Sequence, residues 1–284
     1  MKCKDLIKQL DNPQEQLRAE QELIALAGRC VKALREFLLA PPRSSSPAWI
    51  RAVDILMRVD DEVYDFLEGL LLRPWVTDEN TPERPAEEML KDYIASVLMD
   101  ISPSQRLRHS LLTVLERYKL LGAARALARK KDPEAIPYLL EMLEDDTKRR
   151  GAGGALLHYD ERVLPYLVRD LGFARKSKSG EETPGSLLRR KKILSLLALM
   201  PWEGNTWIIK DYLDHKDLGV EAALALVQRG YIDEKTIEKL LEGFKCEDWF
   251  TSLRCKEALV RTLEESQNLS PNLREKILLT LREG

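Results

Sequence analysis

An all-α protein is predicted by three observations on this 284-residue sequence. Apolar residues recur at spacings of three and four in nearly every segment of ten or more, as in Leu107, Leu111, Val114, Leu115 and Tyr118. No stretch sustains the alternation of a half-buried strand, and β-branched residues are sparse. Leu, Ala, Glu, Arg and Lys dominate, and all of them enter helices at little cost. With 44% hydrophobic and 32% charged residues, the chain is neither collagen-like, mucin-like nor wholly disordered, and it is long enough to build a sizeable core.

In chain order, the stretches 19–39 and 50–72 each follow a helix, turn, helix plan. They are separated by PPRSSSP at 41–47, and RPWVTDENTPERP follows at 73–85; both have the composition of loops. Next come the amphipathic stripe of 107–118, an Ala-rich helix at 122–131 and a second helix over 132–143. That pair then recurs as an Ala-rich helix at 151–160 and its partner over 160–171. A third insertion, ARKSKSGEETPGS at 174–186, lacks any apolar anchor and reads as a mobile loop or hinge. Beyond it lie the apolar stretch from Ile193 to Trp202 and a looser helix pair at 220–244, with Ile237, Leu240, Leu241 and Phe244 on one stripe. The expected organisation is an N-terminal set of repeats at 1–173, the loop at 174–186 and a C-terminal set at 187–284, in one continuous array.

The copies are most alike in the middle. Asp132 to Leu143 aligns with Asp160 to Leu171 at a spacing of 28, with Pro137 and Pro165 each followed by Tyr-Leu. A helix pair of this size cannot bury both apolar faces alone, so stacking successive pairs is what completes the core. The expected architecture is an α-solenoid, a superhelix of stacked antiparallel helix pairs. The Ala-rich helix, the Asp-containing turn and the acidic stretch Glu144-Asp145-Asp146 before Arg149, Arg150 and Ala152 resemble HEAT-like repeats, in particular the short type named after phycobilisome lyases. The resemblance is clear over 120–172 and diffuse elsewhere. It implies a fold, and such repeats carry scaffolds, lyase subunits and DNA-repair enzymes alike.

No apolar run reaches the roughly 18 residues of a membrane span, and the opening MKCKDLIKQLDNPQEQ turns polar too soon for a signal peptide. A cytoplasmic setting without membrane association is expected. In that setting Cys3, Cys30, Cys246 and Cys255 are expected as reduced thiols. They share no CxxC spacing and the three histidines lie far apart, so neither a metal site nor a cofactor is expected. Motifs for serine hydrolases, zinc proteases, P-loop enzymes and dinucleotide binders are all missing. His158-Tyr159-Asp160 is the one tempting polar cluster, and consecutive helical residues point in different directions, so it reads as a helix end.

Charge gives the candidate binding residues. Net charge is −2, yet residues 117–192 hold 18 Lys and Arg against 11 Asp and Glu, a surplus of 7. Lys148, Arg149 and Arg150, and then Arg189, Arg190, Lys191 and Lys192, fall in the opening turns of expected helices, where cations oppose the helix dipole unless something anionic neutralises them. In a regular stack these runs stand side by side as a cationic ledge for an acidic partner. The competing reading is local screening by Glu144, Asp145, Asp146, Glu181 and Glu182 just upstream. Trp75, Trp202 and Trp207, at loop edges, are candidate anchors for a partner, with packing at a repeat seam as the alternative. Gly151, Gly153 and Gly154 weaken their helix by about 1 kcal/mol each relative to Ala, which close helix packing would explain.

The function expected from this is a non-enzymatic scaffold or adaptor with no catalytic residue, binding a protein partner on the concave face or basic edge. One alternative is a nucleic-acid or phosphate binder resembling HEAT-like alkylpurine DNA glycosylases, although no residue is matched securely to their catalytic positions. The other is a subunit of a chromophore lyase.

Overall fold

The computed structural model describes residues 2–26, 28–40, 47–101, 104–265 and 269–283. The insertion at 41–47 therefore lies outside the described residues except for Pro47. The chain divides into two compact units, Met1–Tyr138 and Leu139–Gly284. Each is a stack of antiparallel helix pairs, and no strand occurs among the described residues beyond a lone bridge between Lys176 and Glu182.

The first unit contains α1 (Lys2–Gln9), α2 (Gln16–Leu26), α3 (Gly28–Leu39), α4 (Ala48–Val59), α5 (Val63–Leu72), α6 (Arg84–Ile101), α7 (Gln105–Tyr118) and α8 (Leu121–Arg129). Helices α2, α4, α6 and α8 pack side by side as one layer, while α1 meets α3 and α5 meets α7 in the other. Across the layers α1 packs on α2, α3 on α4, α5 on α6 and α7 on α8, so the core lies between the two layers. The apolar stripes dictate this: α4 buries Trp49, Ala52, Val53, Ile55 and Leu56, and α7 buries Leu107, Leu111, Val114 and Leu115. Ser104 caps the start of α7 by accepting the Leu107 N–H, and Lys119 ends it in the left-handed conformation.

The Ala-rich α8 behaves as its composition demands. Gly122 lies so close to α6 that a Cβ there would overlap the backbone of Asp92, and its N–H donates to Asp92 Oδ1 at 2.8 Å. The 73–85 loop is folded back on α6, because the Glu87 carboxylate accepts the N–H groups of Val76 and Thr77 and the Thr77 hydroxyl at 2.7 Å.

A turn of 3₁₀ helix at Pro133–Ala135 leads into α9 (Ile136–Met142), which ends in the second unit. There follow α10 (Arg149–Leu156), a 3₁₀ segment at Leu157–Val163, α11 (Leu164–Leu171), α12 (Pro184–Leu199) and α13 (Asn205–Lys210). The unit closes with α14 (Gly219–Gln228), α15 (Glu234–Phe244), α16 (Trp249–Glu265) and α17 (Pro271–Glu283). Helices α10, α12, α14 and α16 again form one layer, with α11, α13, α15 and α17 packed against them.

Two expectations are corrected. Cys3 and Cys30 are joined by a disulfide with Cα atoms 5.5 Å apart, tying α1 to α3, where free thiols were expected. And α12 begins at Pro184, capped by the Thr183 hydroxyl on the Ser186 N–H, so Arg189 to Lys192 lie in its second and third turns rather than its first. The loop before it lies within the second unit. Ser177 N–H donates to Glu181 O at 2.7 Å and Thr183 N–H to Arg175 O at 2.9 Å, forming a tight hairpin.

Candidate interaction surface

The structure sorts the seven basic candidates by what each cation touches. Arg189 is fully buried: its guanidinium donates to Phe173 O at 2.7 Å and stands 3.2 Å from both Glu144 and Asp170. Arg190 is buried too, donating to Leu171 O and to Glu182, each at 2.7 Å. Both staple α12 to the segments before it, so neither belongs to a solvent-facing ledge. A buried charge is tolerated only with such partners.

The other run does open a helix. Lys148 occupies the N-cap position of α10, which has no acidic residue in its first turn. Arg149 turns back to pair with Asp146 at 2.7 Å and donates to the carbonyls of Leu143 and Glu144. Burial works against ionisation of Asp145, but hydrogen bonds from Thr147 and from the Lys148 N–H outweigh it and hold its carboxyl below the ordinary range. Local screening therefore accounts for much of the basic sequence: Asp146 takes Arg149, Glu144 takes Arg189 and Arg175, and Glu182 takes Arg190.

Three cations escape it: among the described residues, Arg150, Lys191 and Lys192 make no ion pair. Burial pushes the Lys192 ammonium pKa down; Glu221 opposes this, while Arg254, Arg149 and Arg150 push the same way. Lys191 lies near Asp248, whose carboxyl is held below its ordinary range mainly by Thr251. Gly153 explains how Lys192 fits: a Cβ on that glycine would come within 2.7 Å of the lysine Cε. Gly153 thus makes room for a side chain rather than for a neighbouring backbone, while Gly154 faces open space.

The three singled-out tryptophans do different things. Trp75 packs edge-on against Tyr118 with ring centroids 5.1 Å apart, under Arg84 and Lys91, and so has the packing role. Trp202 folds over Gly204 and remains partly exposed. Trp207 is 70% exposed, with Lys210 over its ring at 4.7 Å. Trp249 and Phe250 are more prominent than any of these as a pair, 73% and 53% exposed and edge-to-face at 5.8 Å on α16.

Met99, Ser104, Gln105, Arg108 and residues 130–133 line an open cleft of about 490 Å³ in the first unit, where Arg108 is held by Asp132 and by Glu134 at 2.7 Å. His158 is exposed and Tyr159 buried, so the His-Tyr-Asp cluster does not converge on one point. No three His, Cys, Asp or Glu side chains among the described residues could hold a metal ion together, and no described helix is long and apolar enough to cross a membrane.

Residues 120–145, spanning α8, the Asp132 turn and α9, match the family model of the PBS lyase HEAT-like repeat. No curated protein matches the chain.

Proposed function

We propose that the chain is a non-enzymatic scaffold of HEAT-like repeats, binding another protein on the outer face of a helix layer; the match of residues 120–145 to the HEAT-like repeat model supports the repeat type. The observation that carries this reading is the layered contact pattern. Each layer spends its inner face on the core and leaves its outer face uncovered, and large apolar side chains such as Trp207, Trp249 and Phe250 remain exposed. The test is affinity capture on the purified chain from its native extract, with the recovered protein then purified and its binding measured directly. A stoichiometric partner supports the scaffold; substrate turnover by the purified chain, or no partner at all, defeats it.

Nucleic-acid binding is the second reading, favoured by the unpaired Arg150 and Lys192. The net charge of −2 and the nearby Glu221 and Asp248 weigh against it. Duplex binding that falls steeply with salt would support it. A lyase subunit rests on the repeat type alone, and an unchanged absorbance of a linear tetrapyrrole on mixing would remove it. A cytoplasmic setting belongs to the proposal, with the Cys3–Cys30 bond as the observation against it. Alkylation of that pair in acid-quenched native cells decides: free thiols support the cytoplasm, and a full disulfide opposes it.

A further inference from the structure

Helices α10, α12, α14 and α16 lie side by side in the second unit, and five of their cations, Arg149, Arg150, Lys191, Lys192 and Arg254, neighbour one another. Three have carboxylates at hand: Arg149 pairs with Asp146, Arg254 is bidentate on Glu221 at 2.7 and 2.8 Å, and Lys191 lies near Asp248. Arg150 makes no ion pair, and Lys192 makes none either, since the Glu221 near it is already taken by Arg254. Lys192 is also restrained, because its stem lies along α10 in the space left by Gly153, with Nζ 3.6 Å from where a Cβ would stand. A half-buried ammonium among three guanidiniums, with Glu221 alone to oppose them, is undercompensated in the isolated chain, and an incoming carboxylate would relieve it.

An apolar patch adjoins this charge. Phe250 lies under the Arg254 guanidinium at 5.8 Å, Trp249 stands edge-to-face with it, and Leu253 is exposed beside them. Exposed aromatics beside an arginine are the composition of interface anchors.

We propose that this face is a docking surface for an acidic protein segment, whose carboxylates meet Arg150 and Lys192 while a bulky apolar side chain covers Trp249 and Phe250. Charge complementarity selects this occupant. Phosphodiesters would bring a continuous line of anions past Glu221 and Asp248, whereas a peptide places its charges and its apolar anchor separately. The inference rests on the scaffold reading and adds the site and the chemistry of the partner.

The probe is a phage-displayed library of random dodecapeptides selected on the full chain. Enriched sequences are expected to combine Asp or Glu with Trp, Phe or Leu. Synthetic versions should bind about tenfold more weakly to Lys192→Glu and to Trp249→Ala, and more weakly as salt rises. Trp249 is exposed, so that variant folds normally; an unchanged circular dichroism melt verifies both. Enrichment without acidic residues, or equal binding to both variants, overturns the proposal. So does a single-stranded oligonucleotide that displaces the peptides at 150 mM salt on the order of tenfold more effectively than an acidic competitor peptide. If a native partner is captured equally well by both variants, the docking site fails while the scaffold stands; if no partner is captured, both fail.

Discussion

Between α6 and α8 in the first unit, the glycine of the Ala-rich helix faces backbone; between α10 and α12 in the second, it faces a lysine stem. At the first junction Gly122 meets Asp92, and the adjacent Lys91 is buried and satisfied. Its ammonium donates to Leu71 O at 3.2 Å and to Arg73 O, and lies over the rings of Trp75 and Tyr118. At the second junction Gly153 accommodates Lys192, which has no carboxylate partner. Similar ingredients, a small-residue helix and a lysine on its neighbour, lock one pair of helices and present a charge from the other. The neighbour's identity decides which, since backbone cannot move aside and a lysine stem can.

The largest expected effect tests the locked junction. Gly122→Ala should destabilise the protein by about 3 kcal/mol, read from its urea midpoint, because α6 and α8 must separate to admit one methyl. An unchanged midpoint would mean that the junction yields as readily as the other one.

Lys91 sharpens the same point through pH. Burial brings its pKa down to about 8, with Glu87 opposing and Arg73 and Arg84 adding to the shift. The unfolded lysine keeps its proton up to its ordinary 10.5, so between these values the unfolded chain binds more protons and stability rises with pH. Relative to Lys91→Met, the wild-type chain should gain on the order of 2 kcal/mol from pH 8 to 10. Cys255 and Tyr93, both pushed up to about 12 chiefly by burial, have the opposite sign and reduce stability as pH rises past their unfolded values. They are common to both chains, so they cancel in the difference. A flat difference would show that the ammonium is not desolvated.

The repeat spacing offers a smaller contrast in the two aspartates 28 residues apart. Asp132 caps its turn, accepting the Glu134 N–H at 3.2 Å and pairing with Arg108. Asp160 instead sits at φ 52° and ψ −139°, a conformation that glycine adopts far more readily. Asp160→Gly should therefore raise stability by about 1 kcal/mol, whereas Asp132→Ala should lower it by a similar amount. Thermal melts of both variants read the signs, and two losses would refute the contrast.

The helices and the central repeat were legible because burial on one face leaves a periodic trace, and because Asp132, Pro137 and their counterparts mark matching turns. The start of α12 was legible too, in Thr183-Pro184, a cap residue followed by the residue favoured at the first helical position. Composition hid it by making 174–186 look like loop throughout. Burial of Arg189 left no local trace, since Asp170, Glu144 and Phe173 O reach it from other segments. The Cys3–Cys30 pairing was equally closed to spacing arguments, as α1 and α3 meet only through tertiary packing. Arg189 and Arg190 could not belong to an exposed ledge, because a run of four cations on a helix sends some of them inward.

The smallest expected stability effect falls on Gly153→Ala. Alanine favours the helix by about 1 kcal/mol over glycine, while the new Cβ, 2.7 Å from Lys192 Cε, must displace that stem. These terms oppose each other, and the stem moves without disturbing backbone, so the net change should stay within about 0.5 kcal/mol. The readout that matters is the lysine itself. Driven off α10, Lys192 regains water and distance from Arg149 and Arg150, so its depressed pKa should rise toward the ordinary lysine value, as followed by NMR titration of its side-chain Cε resonance. A stability loss comparable with that of Gly122→Ala would mean that α12 backbone, and not a movable side chain, abuts this glycine. An unmoved Lys192 titration would mean that its environment is not set by the space beside Gly153.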